Sequence, residues 1–469
     1  MPAEPNEPTA RPARIIVPGA EPRAEEAGPP RIVAPGGPDP EAAPVAPRIV
    51  LPPGVARETE ADVPEYPRLR PLVLVPVSDG QREVLLVSDP LGVVPGQPAL
   101  GIESLAILQI LDGSVSLNDI TAALMRESKD LRVANMVRDF VARLDQLLML
   151  DSPRFEAVYR EMRDAYRQLE IRPSAFDGRS YPAERAELAA FLDAHFAEAE
   201  RMRDAGGAPA AATRPRALLA PHLDPRRAGR AIARAYVELE RDRTEPLRVV
   251  VFGTGHSLME DRFALTRKHF ETPLGKVPTD TAFVDAVAAR VGEPAYRSEI
   301  VHRDEHSIEF QAVYLKHRFG DRPLTMVPIL CGGFHALIDQ GKTPREDPQF
   351  ESLITAVLDA EHALGGETVY VAGADLSHVG PRFGDPPLDP RAKEEIEAID
   401  REALRAAERG DAEGWFASIA AHADSSRICG YAPVYATLRC AAPQAGRLLV
   451  YEQSDEKDRS MVTVAAMAW

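Results

Sequence analysis

From Ile171 onward the chain alternates short apolar runs of β type with stretches of helical spacing. No other feature narrows its architecture as much. The runs are Ala217–Ala220, Leu247–Phe252, Leu324–Leu330, Val369–Ala372 and Leu448–Tyr451. Each of the first four leads into a polar or glycine-bearing loop and then into helical sequence. That order predicts an α/β domain with a largely parallel sheet and flanking helices. In open sheets of this kind ligands bind beyond the carboxyl ends of the strands. Those positions read Pro221-His222-Leu223-Asp224, Gly253-Thr254-Gly255-His256-Ser257 and Gly373-Ala374-Asp375-Leu376-Ser377-His378. Three strands thus deliver imidazole or carboxylate to one edge of the sheet. A single histidine there would read as a hydrogen-bonded structural residue, whereas three together point to a site.

Histidine and cysteine are confined to the same part of the chain. All 11 histidines lie at or after His195 and all 3 cysteines after residue 330. Chemistry that needs soft or borderline metal ligands therefore belongs to the C-terminal part. Cys429, in Arg427-Ile428-Cys429-Gly430, precedes a helix expected at Val434–Leu438, where the helix dipole should lower the thiol pKa. Cys331 and Cys440 read as structural. The stretch His302-Arg303-Asp304-Glu305-His306 carries two readings. As His-x-x-Glu-His it matches an inverted zinc-protease motif with His302 and His306 on one helix face. Alternatively, Asp304, Glu305 and His306 form a wall of the strand-end site. A dinucleotide fingerprint, a Walker A loop, a Gly-x-Ser-x-Gly elbow and a Cys-x-x-Cys pair are all missing from the sequence.

The N-terminal third is different. Residues 1–66 hold 16 of the 43 prolines, and no aromatic precedes Tyr66, so this segment has little to bury and is expected to be a disordered tail. A motif repeats in it: Arg14-Ile15-Ile16-Val17-Pro18-Gly19, Arg31-Ile32-Val33-Ala34-Pro35-Gly36 and Arg48-Ile49-Val50-Leu51-Pro52-Pro53-Gly54, with starts 17 residues apart. It reads as duplicated linker, or as short β-strand docking motifs for a sheet edge. Residues 67–152 read as a small domain. Leu72–Val75, closed by Pro76, and Glu83–Val87 flank a Ser78-Asp79-Gly80 turn as a hairpin. Helices are expected over Ile102–Leu111, from a Ser116 cap through Met125, and over Val133–Leu148. Residues 153–170 should form a helical linker. A net charge of −17 argues against nucleic-acid binding. No apolar run is long enough to span a membrane, no secretory signal is visible, and the few cysteines fit a reducing, cytoplasmic setting.

The ordered set of strings from Arg172-Pro173-Ser174 and Ser180-Tyr181-Pro182 onward resembles the Memo family, also called AmmeMemoRadiSam system protein B. It takes in Pro-His at 221–222, Gly-x-x-His-Ser around His256, Thr-Pro-Leu-Gly at 272–275, Asp-Glu-His-Ser-Ile-Glu at 304–309, Asp-x-x-His-x-Gly at 375–380 and Ile-Cys-Gly at 428–430. Where family members commonly read Pro-His-Ala-Gly, this chain has Pro221-His222-Leu223-Asp224. The resemblance implies an α/β domain over 171–469 with a fold similar to class III extradiol dioxygenases. It implies metal ligands His222, His256 and Cys429, with Asp375 and His378 lining the same vestibule and His306 or His378 moving protons; Asp375 and His378, three residues apart on one loop, have a spacing suited to a hydrogen-bonded acid/base pair. Copper or iron suits such a donor set, and zinc fits too. The small domain resembles the PqqD-like winged-helix family, which implies peptide binding at a sheet edge and partner proteins of a modification system. The preferred reading is a metal-binding redox protein, a metal-dependent oxidoreductase if it is an enzyme. The alternatives are a non-enzymatic peptide- or anion-binding module and a zinc hydrolase centred on His302 and His306.

Overall fold

Strands buried on both faces need apolar side chains along most of their length, and the central runs have them, with polar residues such as Arg248 and Thr325 near the strand starts. In the computed structural model, which describes residues 49–50, 63–78, 83–205, 214–257 and 261–469, the chain divides into two compact units between Ala165 and Tyr166.

In the first unit, β1 (Ile49–Val50), β2 (Val73–Ser78), β3 (Glu83–Ser88) and β4 (Ala99–Gly101) form a sheet in the order β1-β4-β3-β2, with neighbours antiparallel. The hairpin is as expected, but β2 runs through Pro76 to Ser78. An edge strand tolerates a proline because one of its sides needs no donor. Helices follow at Leu105–Leu108, Leu117–Ser128 and Arg132–Gln146. The first is one turn only, so the expected helix over Ile102–Leu111 is shorter than its periodicity. Ser116 caps the second, its Oγ accepting from Asp119 N at 3.1 Å. Most of the tail expected to be disordered lies outside the described residues. Two corrections fall inside it: Ile49–Val50 form a strand, and order is present ahead of Tyr66, with Leu117 N donating to Glu65 O at 2.8 Å. The helix Pro153–Arg167 spans the division between the units.

The second unit contains β5 (Ile171–Arg172), β6 (Ala217–Ala220), β7 (Leu247–Thr254), β8 (Phe263–Leu265), β9 (His269–Phe270), β10 (Leu324–Cys331), β11 (Glu367–Gly373), β12 (His378–Val379), β13 (Arg447–Asp455) and β14 (Met461–Ala468). The main sheet has the order β12-β14-β6-β11-β7-β10-β8, with β13 on β14. Its centre, β6-β11-β7-β10, is wholly parallel; β14 against β6 and β8 against β10 are antiparallel. Alternate residues face two separate cores. Val250 and Phe252 of β7 pack on one side, Val249 and Val251 on the other.

Register puts the site together. Gly373 of β11 lies opposite both Ala220 of β6 and Gly253 of β7, so three adjacent parallel strands end level with one another. The helix His306–Phe319 starts directly over them. A Cβ at Gly373 would come within 2.7 Å of Ser307 O, and one at Gly253 within 2.5 Å of Ile308 Cγ1. Only glycine lets that helix start approach the strand ends.

Candidate metal centre

His222 stands two residues past β6. Its Nδ1 lies 2.7 Å from Gly373 O. A carbonyl only accepts, so Nδ1 carries the proton and Nε2 keeps its lone pair for a ligand. Burial, with help from the charge of His256, pushes its pKa down to about 3, which keeps the ring neutral. Asp375, past β11, fixes the loop: its Oδ1 accepts from His222 N at 2.8 Å and Leu223 N at 3.0 Å. Burial raises the Asp375 pKa against the pull of His378 and those amides.

His256, past β7, is the most exposed of the group. Its backbone N donates to Glu305 Oε2 at 2.9 Å and its Nδ1 to Glu305 Oε1 at 3.0 Å. Desolvation lowers its pKa, but the charge and hydrogen bond of Glu305 outweigh that, and the net shift is upward. His306, the first residue of its helix, has Nδ1 3.3 Å from Glu305 Oε1. Burial takes its pKa down to about 3, opposed by Glu305 and assisted by His256 and His222. Glu305 is buried. Burial alone would raise its carboxyl, yet His256, His306 and Ser307 N hold it well below the carboxylate range. One carboxylate thus orients the His256 imidazole and lies beside that of His306. The rings of His222, His256 and His306 lie 4.7–5.1 Å apart, centroid to centroid.

Cys429 Sγ lies 3.3 Å from His222 Nε2, and Asp375 Oδ2 is 3.7 Å from the same nitrogen. Gly430 N donates to Asp375 O at 3.0 Å, which ties the cysteine loop to the β11 loop. Among the described residues two overlapping donor sets result, each with its donor atoms within 4.8 Å of one another: His222, His256 and His306, and His222, Asp375 and Cys429. His222 belongs to both, whereas His256 and Cys429 belong to one set each. Soft sulfur and borderline imidazole nitrogen fit copper, iron or zinc better than magnesium or calcium.

Four expectations need correction. Cys429 does not have a lowered pKa. Burial raises it, with Asp375 adding to the effect, and this outweighs the dipole of a helix that begins at Tyr431. Asp375 and His378 do not share a hydrogen bond among the described contacts. Asp375 serves the His222 loop, and His378 Nδ1 donates to Leu376 O at 2.9 Å. His302 and His306 do not share a helix face. His302 belongs to a 3-10 turn, Glu299–Asp304, where its Nε2 donates to Ala264 O at 3.0 Å. Asp304 is largely exposed and pairs with Arg303, so the wall consists of Glu305 and His306 alone.

His302 is instead a structural group with a pH signature. Burial pushes its pKa from the ordinary 6.5 down to about 3. Between those values the unfolded chain binds the proton and the folded chain does not. Its contribution to stability is therefore complete above pH 6.5 and is lost as pH falls toward 3. Replacing it as His302→Gln, which keeps a donor for Ala264 O, should make unfolding free energy less pH-dependent in that window by about one proton. Denaturant unfolding at several pH values checks this, and an unchanged slope would contradict it.

Sequence reading missed the network beneath the site. Arg172 is fully buried, ion-paired to Glu309, and donates through Nε to His302 O at 2.6 Å and through Nη2 to Glu305 O at 3.0 Å. Glu309 also accepts from Ala175 N and Phe176 N, each at 3.0 Å, and from Tyr181 Oη. The strings at 172–174 and 180–182 thus anchor the turn that presents Glu305 and His306.

The second unit is an α/β protein in which histidine, cysteine and carboxylate donors that could hold a metal ion gather beyond the ends of the parallel strands. A family model described as Memo-like protein matches residues 172–468, and the chain belongs to that family. It is 28% identical to a MEMO1 family protein of Thermus thermophilus over 315 residues, which covers 67% of this chain and 86% of that one. A MEMO1 family protein of Aquifex aeolicus is 26% identical over 322 residues, covering 68% and 77% respectively. One of Aeropyrum pernix is 30% identical over 288 residues, covering 60% and 89%.

Proposed function

We propose that the second unit is a metal-binding redox protein that holds copper or iron at its strand ends, with zinc the other ion its donors fit. The observation that carries this reading is His222: a buried, neutral imidazole with Nδ1 committed to a carbonyl, Nε2 left for a ligand, and membership of both donor sets. His222, His256 and Cys429 would be the ligands. Bound there, copper or iron would supply one-electron chemistry or polarise a bound substrate, the chemistry expected if the fold is like that of class III extradiol dioxygenases.

The chain's own residues would do the rest. Glu305 fixes the ring of His256, so it does not turn when a ligand enters. His306, held neutral, can accept a proton from a group bound beside His222. Asp375 keeps the His222 and Cys429 loops at their spacing. His378, on the same loop as Asp375, is the second proton carrier in this reading. No helix among the described residues is long and apolar enough to cross a membrane. A cytoplasmic setting and partner proteins of a modification system complete the proposal.

The division of labour between His306 and Cys429 is testable by metal titration of the full chain. His256→Ala or Cys429→Ala should weaken copper or iron binding at least about tenfold, whereas His306→Ala should change it by less than about threefold while impairing turnover or reduction. If His306→Ala empties the site and Cys429→Ala does not, the three histidines are the ligands instead.

A further inference from the structure

The third Arg-Ile-Val segment is not merely near the small sheet. It supplies a strand of that sheet, with Ile49 opposite Leu100 and Val50 opposite Ala99 of β4. The other side of β4 is taken by β3, through Val84, Leu85 and Leu86. Without β1, the outer edge of Ala99–Gly101 would present unpaired amides and carbonyls, a template for any extended segment.

All three repeats offer that edge the same thing. Ile15-Ile16, Ile32-Val33 and Ile49-Val50 are β-branched pairs, each preceded by arginine and each followed by proline two residues later. β-branched residues suit a strand, and a proline, which lacks an N–H, would stop a ladder at the same position of each repeat. Strand addition acts through the backbone, so side chains that differ little between copies are accepted alike.

We propose that the outer edge of β4 is a strand-acceptor site for Arg-Ile-Val-type segments, for which the three repeats of one chain compete. The third repeat holds the edge in the structure and the other two are its substitutes. A two-residue ladder offers few hydrogen bonds against the entropy of ordering, so occupancy depends on the tether and the segments exchange. Moving from the third repeat to the second and first lengthens the tether from roughly a dozen residues to roughly thirty and forty-five. Effective concentration then falls only about fourfold and about sevenfold. Removing one occupant therefore does not open the site; removing all three does. An outside partner that fits it is an extended peptide of the form Arg, two β-branched residues, any residue, proline.

The test uses the full chain and a fluorescein-labelled synthetic peptide of residues 45–54, read by anisotropy. Breaking only the third repeat, as Ile49→Pro with Val50→Gly, should tighten peptide binding by no more than about fourfold over the unaltered chain. Breaking all three, with Ile15→Pro, Ile16→Gly, Ile32→Pro and Val33→Gly added, should tighten it at least about tenfold. Amide exchange over Ala99–Gly101 should stay slow in the single variant, become fast in the full variant and slow again on saturation with the peptide, which shows that the sheet remains folded. If the single variant gains as much as the full one, the first two repeats are not occupants. If the full variant gains nothing, or the peptide leaves exchange over Ala99–Gly101 unchanged, the edge of β4 is not an acceptor.

Discussion

Replacing Arg172 by alanine should lower the unfolding free energy of the chain by about 3–5 kcal/mol, the largest loss expected from any single change described above. Arg172 and Glu309 are both fully buried and paired with each other. Removing the cation leaves the Glu309 charge in the interior with only backbone amides and the Tyr181 hydroxyl as partners. It also strips donors from His302 O and Glu305 O, which lie on either side of the turn leading to His306. Lysine would not repair this, because its single ammonium cannot reach a carboxylate and two carbonyls in a fixed fork. Arg172→Lys should thus fall between wild type and Arg172→Ala in a denaturant melt. A loss below about 1 kcal/mol for Arg172→Ala would mean that the turn is held by something else.

The second large effect is on metal affinity. His222→Ala should weaken copper or iron binding at least about tenfold, and more than any other single ligand change, because it removes the residue that both donor sets share. The fold should survive. His222 lies beyond the end of β6, and the Asp375 carboxylate that holds its loop bonds to backbone amides, which the substitution leaves in place. His222→Gln, which can still donate to Gly373 O but offers a poorer ligand, should bind metal as weakly as alanine while melting closer to wild type. A variant that binds metal normally would remove His222 from the site.

The parallel core and its strand-end histidines were legible because burial on both faces writes itself as apolar runs, such as Val249–Phe252, and the loops after them stand out. The site's wiring was not. Glu305 is next to His306 in sequence, yet its bonds to His256 span the loop from another strand and follow from the level ends of β6, β11 and β7. The spacing of His302 and His306 suggested one helix face, but the helix begins only at His306. Cys429 was read by its place before a helix, while burial beside Asp375 decides its titration. In the small unit, β4 has three residues and β1 two, too few to show a period of two.

The central claim, that these strand ends hold a redox metal, is tested most directly by counting metal in the full chain. Protein purified without chelator, and the His222→Ala variant prepared alongside it, should be measured for copper, iron and zinc per chain by mass spectrometry. The account predicts about one copper or iron per wild-type chain and less than about a tenth of that in the variant. A wild-type chain that carries no metal and takes up none on titration, or a His222→Ala chain that retains a full complement, would contradict it.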